Sequence, residues 1–169
     1  IGAACNNIVF KKCTNYLNIV NTGEGLFCKK DCSFLDFQTC RSFGEINSNQ
    51  GGGICGSNCY DISIDFTIIE GNINGYESGG FLGKECYNCI ISNSYVKGTI
   101  LGDYSGGICG NSSYNIDINN VYVFSKKRGF LSGIIISTDD NLGILSTNFN
   151  IIILPTSNIS IQYFYNVNE

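Results

Sequence analysis

An all-β parallel β-helix is the fold class this sequence predicts, on three observations. Cys5, Cys32, Cys59 and Cys86 follow one another at a constant interval of 27 residues, and the same interval links Cys13 to Cys40 and Cys28 to Cys55. The glycine-rich segments Gly51-Gly52-Gly53-Ile54-Cys55-Gly56, Ser78-Gly79-Gly80-Phe81-Leu82-Gly83 and Ser105-Gly106-Gly107-Ile108-Cys109-Gly110 recur on that beat. Apolar residues keep it as well, with no help from cysteine. Self-similarity at a fixed period of this size marks a solenoid, in which each coil stacks on the last and places equivalent side chains above one another.

Rows of 27 residues make the elements visible. With residues 1–23 as a partial row, the full rows are 24–50, 51–77, 78–104, 105–131 and 132–158, about six coils within a single domain spanning 1–169. The twelfth column reads Ile8, Leu35, Ile62, Cys89, Ile116, and the fourteenth reads Phe10, Phe37, Ile64, Ile91, Ile118, Leu145. A spacing of two is the strand period, so these columns predict one strand per row. The fourth column, Phe27, Ile54, Phe81, Ile108, Ile135, predicts a second. The twenty-third, Ile19, Ile46, Ile73, Ile100, is entered through Gly44, Gly71 and Gly98 and predicts a third. Abundant Ile, Asn, Gly and Tyr, with no apolar run at helical spacing, argues against helices, because β-branched and aromatic residues favour strands. A sandwich would also use short strands with Gly and Asn corners, but it does not require one residue class to recur every 27 positions.

Composition narrows the function classes. Charged residues are 14% of the chain and the net charge is −4, so the basic stripe expected of a nucleic-acid surface is missing. Lys11-Lys12, Lys29-Lys30 and Lys126-Lys127-Arg128 read as solvated corners. The apolar runs at 134–136 and 151–154 are too short to span a bilayer. The sequence contains no methionine, which predicts a processed product or fragment, with a cleaved secretory signal as the simplest account.

The ten cysteines are expected to staple the coils. Neighbouring parallel strands lie roughly 4.7–4.9 Å apart, within the Cα window of roughly 4.4–6.8 Å that a disulfide accepts. Pairing adjacent rows gives Cys5–Cys32, Cys59–Cys86, Cys13–Cys40 and Cys28–Cys55, and leaves Cys89 and Cys109 as a pair by elimination; Cys32–Cys59 is an alternative. Several staples imply an oxidising compartment, secreted, extracellular, or on a virion or cell surface. The rival reading is that the thiols are small buried hydrophobes. Cys86-Tyr87-Asn88-Cys89 has metal-ligand spacing, but no second pair and no histidine complete a tetrahedral site, so no metal or other cofactor is expected.

The three glycine segments, each followed by a strand and then by stretches such as Ile91-Ser92-Asn93-Ser94-Tyr95-Val96-Lys97-Gly98, resemble the GLUG-type repeats of bacterial adhesins and of giant-virus surface proteins. The resemblance covers roughly residues 51–131. It implies a right-handed β-solenoid in an extracellular or particle-surface protein, and it implies no catalytic residues.

Chemistry is thin. No Ser-His-Asp or Cys-His arrangement is possible without histidine. A polysaccharide-degrading β-helix enzyme would need clustered carboxylates, and Asp61, Asp65, Asp117, Asp139 and Asp140 form no obvious pair. A glycan-binding adhesin module is the stronger rival: Tyr60, Tyr87 and Tyr114 share the tenth column, and Asp61, Asn88 and Asn115 share the eleventh. Rings beside amides suit carbohydrate, although stacked tyrosines also serve simply to cover a corner. Asn111-Ser112-Ser113 and Asn158-Ile159-Ser160 are glycosylation sequons.

A solenoid needs caps at its open ends. Residues 1–23 already follow the repeat, and 151–169 contain apolar, strand-like segments around Pro155. These are expected either to plug the coil or to join the next subunit. Head-to-tail stacking does not close on itself and yields a filament, so the leading expectation is a non-enzymatic structural protein that assembles end to end into a fibre or surface layer.

Overall fold

A computed structural model describes residues 1–128 and 150–153, the side chains of 125–127 and 150–153 excepted. Ile135, Asp139, Asp140, Leu145, Pro155, Asn158 and the segment 159–165 therefore lie outside the described residues, and so does the count of six coils.

Ten strands build a parallel β-solenoid. β1 (Asn6–Lys11), β3 (Ser33–Gln38), β5 (Tyr60–Asp65) and β7 (Tyr87–Ser92) stack in parallel and continue onto the first half of β9 (Tyr114–Lys127). β2 (Thr14–Asn15), β4 (Arg41–Ser42), β6 (Ile68–Glu70) and β8 (Tyr95–Ile100) form a second stack that meets the second half of β9. Ile8 lies on Leu35, Leu35 on Ile62, and Phe37 on Ile64, each 27 residues apart. Four turns thus separate β1 from β9. Among the described residues there is no helix.

The expected count of about three strands per row is refined. Two columns are strands, while Ile19-Ile46-Ile73-Ile100, Gly25-Gly52-Gly79-Gly106 and Cys28-Cys55-Leu82-Cys109 are single-residue parallel bridges. The stack of β2, β4, β6 and β8 escaped the row reading because its inward column runs Asn15, Ser42, Ile69, Val96, Val123 and is polar in the first two coils. The constant interval also ends: β10 (Asn150–Ile153) pairs in parallel with β9 through Ile151 on Val121, an interval of 30, past an irregularity at Asn150.

Each coil turns at four left-handed columns, which begin at Ala4, Asn7, Lys12 and Gly23 and recur down the stack. One of them holds Lys12, Thr39, Phe66, Asn93 and Asn120, with φ between 46° and 58°. This backbone region costs roughly 1–2 kcal/mol per residue with a Cβ, and Asn tolerates it best because its amide bonds locally. The glycine motif answers a different need. A Cβ on Gly53 would stand 2.1 Å from the Gly80 carbonyl oxygen, and one on Gly80 would stand 2.1 Å from that of Gly107. Successive coils touch there backbone to backbone.

One main core runs through the coils, with the Ile19-Ile46-Ile73-Ile100 column as a separate strip. The first coils are filled by rings: Phe10 stacks on Phe37 with centroids 4.5 Å apart, and Phe27 packs edge-on to both. Ile64, Ile91 and Ile118 carry the same column onward, each buried. Each such burial contributes roughly 1.5–3 kcal/mol.

The expected disulfide staples are not formed: all ten cysteines are free thiols. The vertical pairs Cys5–Cys32, Cys59–Cys86, Cys13–Cys40 and Cys28–Cys55 meet the Cα criterion and fail a second one. Coils related by simple stacking keep their Cα–Cβ bonds parallel, so Cβ atoms sit as far apart as the strands, roughly 4.7–4.9 Å. A disulfide needs Cβ atoms about 3.8 Å apart. In-register stacking therefore aligns cysteines without bringing them together.

Candidate functional site

The tyrosine ladder exists and is tightly stacked. Tyr60 and Tyr87 have centroids 5.0 Å apart, Tyr87 and Tyr114 5.1 Å, both pairs within 5° of parallel. Phe34 closes the lower end edge-on to Tyr60 at 6.0 Å. Stacking turns ring faces onto one another, so the ladder offers solvent its edges and hydroxyls, with Tyr114 the most exposed member. Burial, followed by the neighbouring Tyr60 and Tyr114, pushes the Tyr87 hydroxyl up from its ordinary pKa. Beside the rings, Asp61, Asn88 and Asn115 occupy a left-handed column, and the Asn115 amide donates to the Asn88 carbonyl at 2.6 Å. Much of the polar surface is spent the same way, coil to coil: Asn58 donates to Asp31 at 2.8 Å, Asn74 to Asn47 at 2.6 Å and Asn120 to Asn93 at 3.2 Å.

The carboxylates serve structure. Asp65 accepts from the Ser92 hydroxyl at 2.8 Å and the Asn93 amide at 2.9 Å. Glu77 is 8% exposed and is held by Lys84 at 3.0 Å, the Gln50 amide at 3.0 Å and the Asn111 amide at 3.2 Å. Burial works against its charge, but these three partners outweigh burial and keep its carboxyl below the usual range. Sequence reasoning missed this corner because Gln50, Glu77, Lys84 and Asn111 come from different rows. Asn111 is also the first sequon residue, and the Ser113 hydroxyl of that sequon is buried, donating to the Gly83 carbonyl at 3.2 Å. Both sequon side chains are thus engaged inside the folded corner.

The thiols do a hydroxyl's work. In the column Cys5, Cys32, Cys59, Cys86, Ser113, the Cys59 thiol donates to the Lys29 carbonyl at 3.5 Å and the Cys86 thiol to the Gly56 carbonyl at 3.3 Å. Each acceptor lies 30 residues back, as Gly83 does for Ser113. A second corner reads Cys13, Cys40, Thr67, Ser94; there Cys40 reaches the Phe10 carbonyl at 3.5 Å and Thr67 the Asp65 carbonyl at 3.1 Å. Cys28, Cys55 and Cys109 line a bridge column that Leu82 shares, and Cys89 sits in the apolar twelfth column with its thiol on the Tyr87 carbonyl at 3.2 Å. Burial pushes the Cys32 and Cys89 thiols up to about 12.

No group of three or more His, Cys, Asp or Glu among the described residues is placed to hold a metal ion, and no helix there is long and apolar enough to cross a membrane. Comparison with family models, curated proteins and solved structures finds no match to this chain, so the GLUG resemblance stands on its glycine motifs alone.

Proposed function

We propose that this protein is a structural, non-enzymatic β-solenoid module of an extracellular or particle-surface protein, coiled right-handed over about six coils and joining end to end with other copies. The observation that carries the reading is the use of outward side chains: tyrosine, asparagine and aspartate columns bond to their own copies one coil away. Such columns stiffen a rod and leave few groups for a substrate. End-to-end joining draws support from β1, which among the described residues pairs only with β3 and presents its other backbone edge. Beneath that edge Cys5, Ile8, Phe10 and Cys13 are half-buried, whereas Cys32, Leu35, Phe37 and Cys40 one coil on are buried completely. A strand edge of this kind recruits another strand. Right-handedness follows the rule for parallel crossovers, about 98% of which take that hand. The surface location rests on the glycine-motif resemblance.

Negative-stain electron microscopy and light scattering across a concentration series test this. Filaments or growing particles are expected, and monomers throughout would refute end-to-end assembly. A glycan-binding role is the second reading, supported by the exposed Tyr114 edge beside Asn115.

A further inference from the structure

Two thiol columns meet inside one corner of the solenoid. Cys28 and Cys55 stack in one, and Cys32, Cys59 and Cys86 stack in the other, all five buried. Between Cys55 and Cys59 the chain turns through Gly56, Ser57 and Asn58, with Asn58 left-handed at φ 57°. The turn brings the Cys55 thiol into hydrogen-bonding contact with that of Cys59. Parallel stacking keeps vertical neighbours a full strand spacing apart, but it places no such restraint on two residues that flank a turn in the same coil.

We propose that Cys55 and Cys59 are a redox pair that closes into a disulfide across this corner when a small disulfide oxidant, such as oxidised glutathione, is present. Cys59 is the attacking sulfur. Its Sγ accepts the Cys32 amide N–H at 3.4 Å and lies against the Cys55 and Cys86 thiols, so a thiolate there has three donors. The Cys59 thiolate displaces one glutathione thiolate, forming a mixed disulfide. The Cys55 thiolate then displaces the second glutathione, forming the Cys55–Cys59 bond. Two protein S–H bonds are lost and one S–S bond is made; the two electrons and two protons end on two glutathione thiols. Both sulfurs are buried, so the exchange proceeds through local opening of the corner. The inference is independent of end-to-end assembly.

The chain supplies its own controls. Ser113 occupies the Cys59 column and Leu82 the Cys55 column, so Cys59→Ser and Cys55→Leu each install a residue that the same corner already holds elsewhere. Tryptic cleavage after Arg41 and Lys84 yields a peptide, 42–84, whose only cysteines are Cys55 and Cys59. Folded protein is incubated with oxidised glutathione, alkylated, digested and weighed. The expected peptide 42–84 is two hydrogens lighter than the reduced form and carries no alkyl group, and it reverts on reduction. In Cys59→Ser the same peptide is alkylated once, with unchanged circular dichroism. Double alkylation of 42–84 in the wild type overturns the proposal. So does its cross-linking to peptide 13–29 through Cys28 or to 85–97 through Cys86, which would mean that vertical pairs close after all.

Discussion

The backbone N–H of Cys86 donates to the hydroxyl oxygen of Ser113 at 3.2 Å, and the two side chains make equivalent bonds, the thiol to Gly56 and the hydroxyl to Gly83. Cysteine and serine are therefore alternates in one corner position. Cys86→Ser is expected to leave stability within about 0.5 kcal/mol, whereas Cys86→Ala removes both the donor to the Gly56 carbonyl and an acceptor, a loss of roughly 1–2 kcal/mol. Urea denaturation of the two variants separates the outcomes, and equal losses would show that the thiol acts by packing alone.

The Ser42 hydroxyl is buried with no hydrogen-bond partner among the described residues, in a column that continues as Ile69 and Val96. Ser42→Ala removes the unsatisfied group and is expected to stabilise the protein by about 1 kcal/mol. A lower denaturation midpoint would mean that the hydroxyl is bonded.

Phe66 is 59% exposed and left-handed at φ 48°, in the column where Asn93 and Asn120 bond to each other. Phe66→Asn exchanges a strained aromatic for the residue that the corner holds two turns of the chain further on, and a gain of roughly 0.5–1 kcal/mol is expected. Thermal melts of Phe66→Asn beside Phe66→Ala isolate the asparagine effect.

Glu77 gives the fold an acid-sensitive corner. Its folded pKa lies below the ordinary 4.5, so its contribution is present above the unfolded value and is lost as pH falls through the folded one. Melting temperature is expected to drop over that acidic window, and Glu77→Gln is expected to flatten the drop while lowering stability at neutral pH. Identical pH profiles for the two proteins would assign the sensitivity to other groups.

Tyr87 is stacked on both sides. Tyr87→Ala is expected to cost roughly 1–3 kcal/mol, since each aromatic pair is worth about 0.5–1.5 kcal/mol. Because its faces are already occupied, carbohydrate binding on a glycan array is expected to be unchanged. Loss of a glycan signal in a folded Tyr87→Ala protein would instead restore the adhesin reading.

The architecture was legible because a solenoid writes its geometry into one number. The columns of Ile, Phe and Gly at 27-residue intervals required parallel, in-register coils, and Ile8, Leu35 and Ile62 pair as that interval demands. Local spacing could not show the second strand stack, whose inward residues begin as Asn15 and Ser42, nor the longer interval that sets Ile151 on Val121. It equally hid the corner around Glu77, whose members are distant in the chain.

By itself, then, the sequence determined the coil length, the parallel register and the residues that share each column. Tertiary structure decided what those columns can do. Stacking preserves the direction of every Cα–Cβ bond, so cysteines aligned in sequence stay apart as thiols while tyrosines aligned in sequence cover one another's faces. Only a turn, such as the one between Cys55 and Cys59, redirects side chains enough for two to converge.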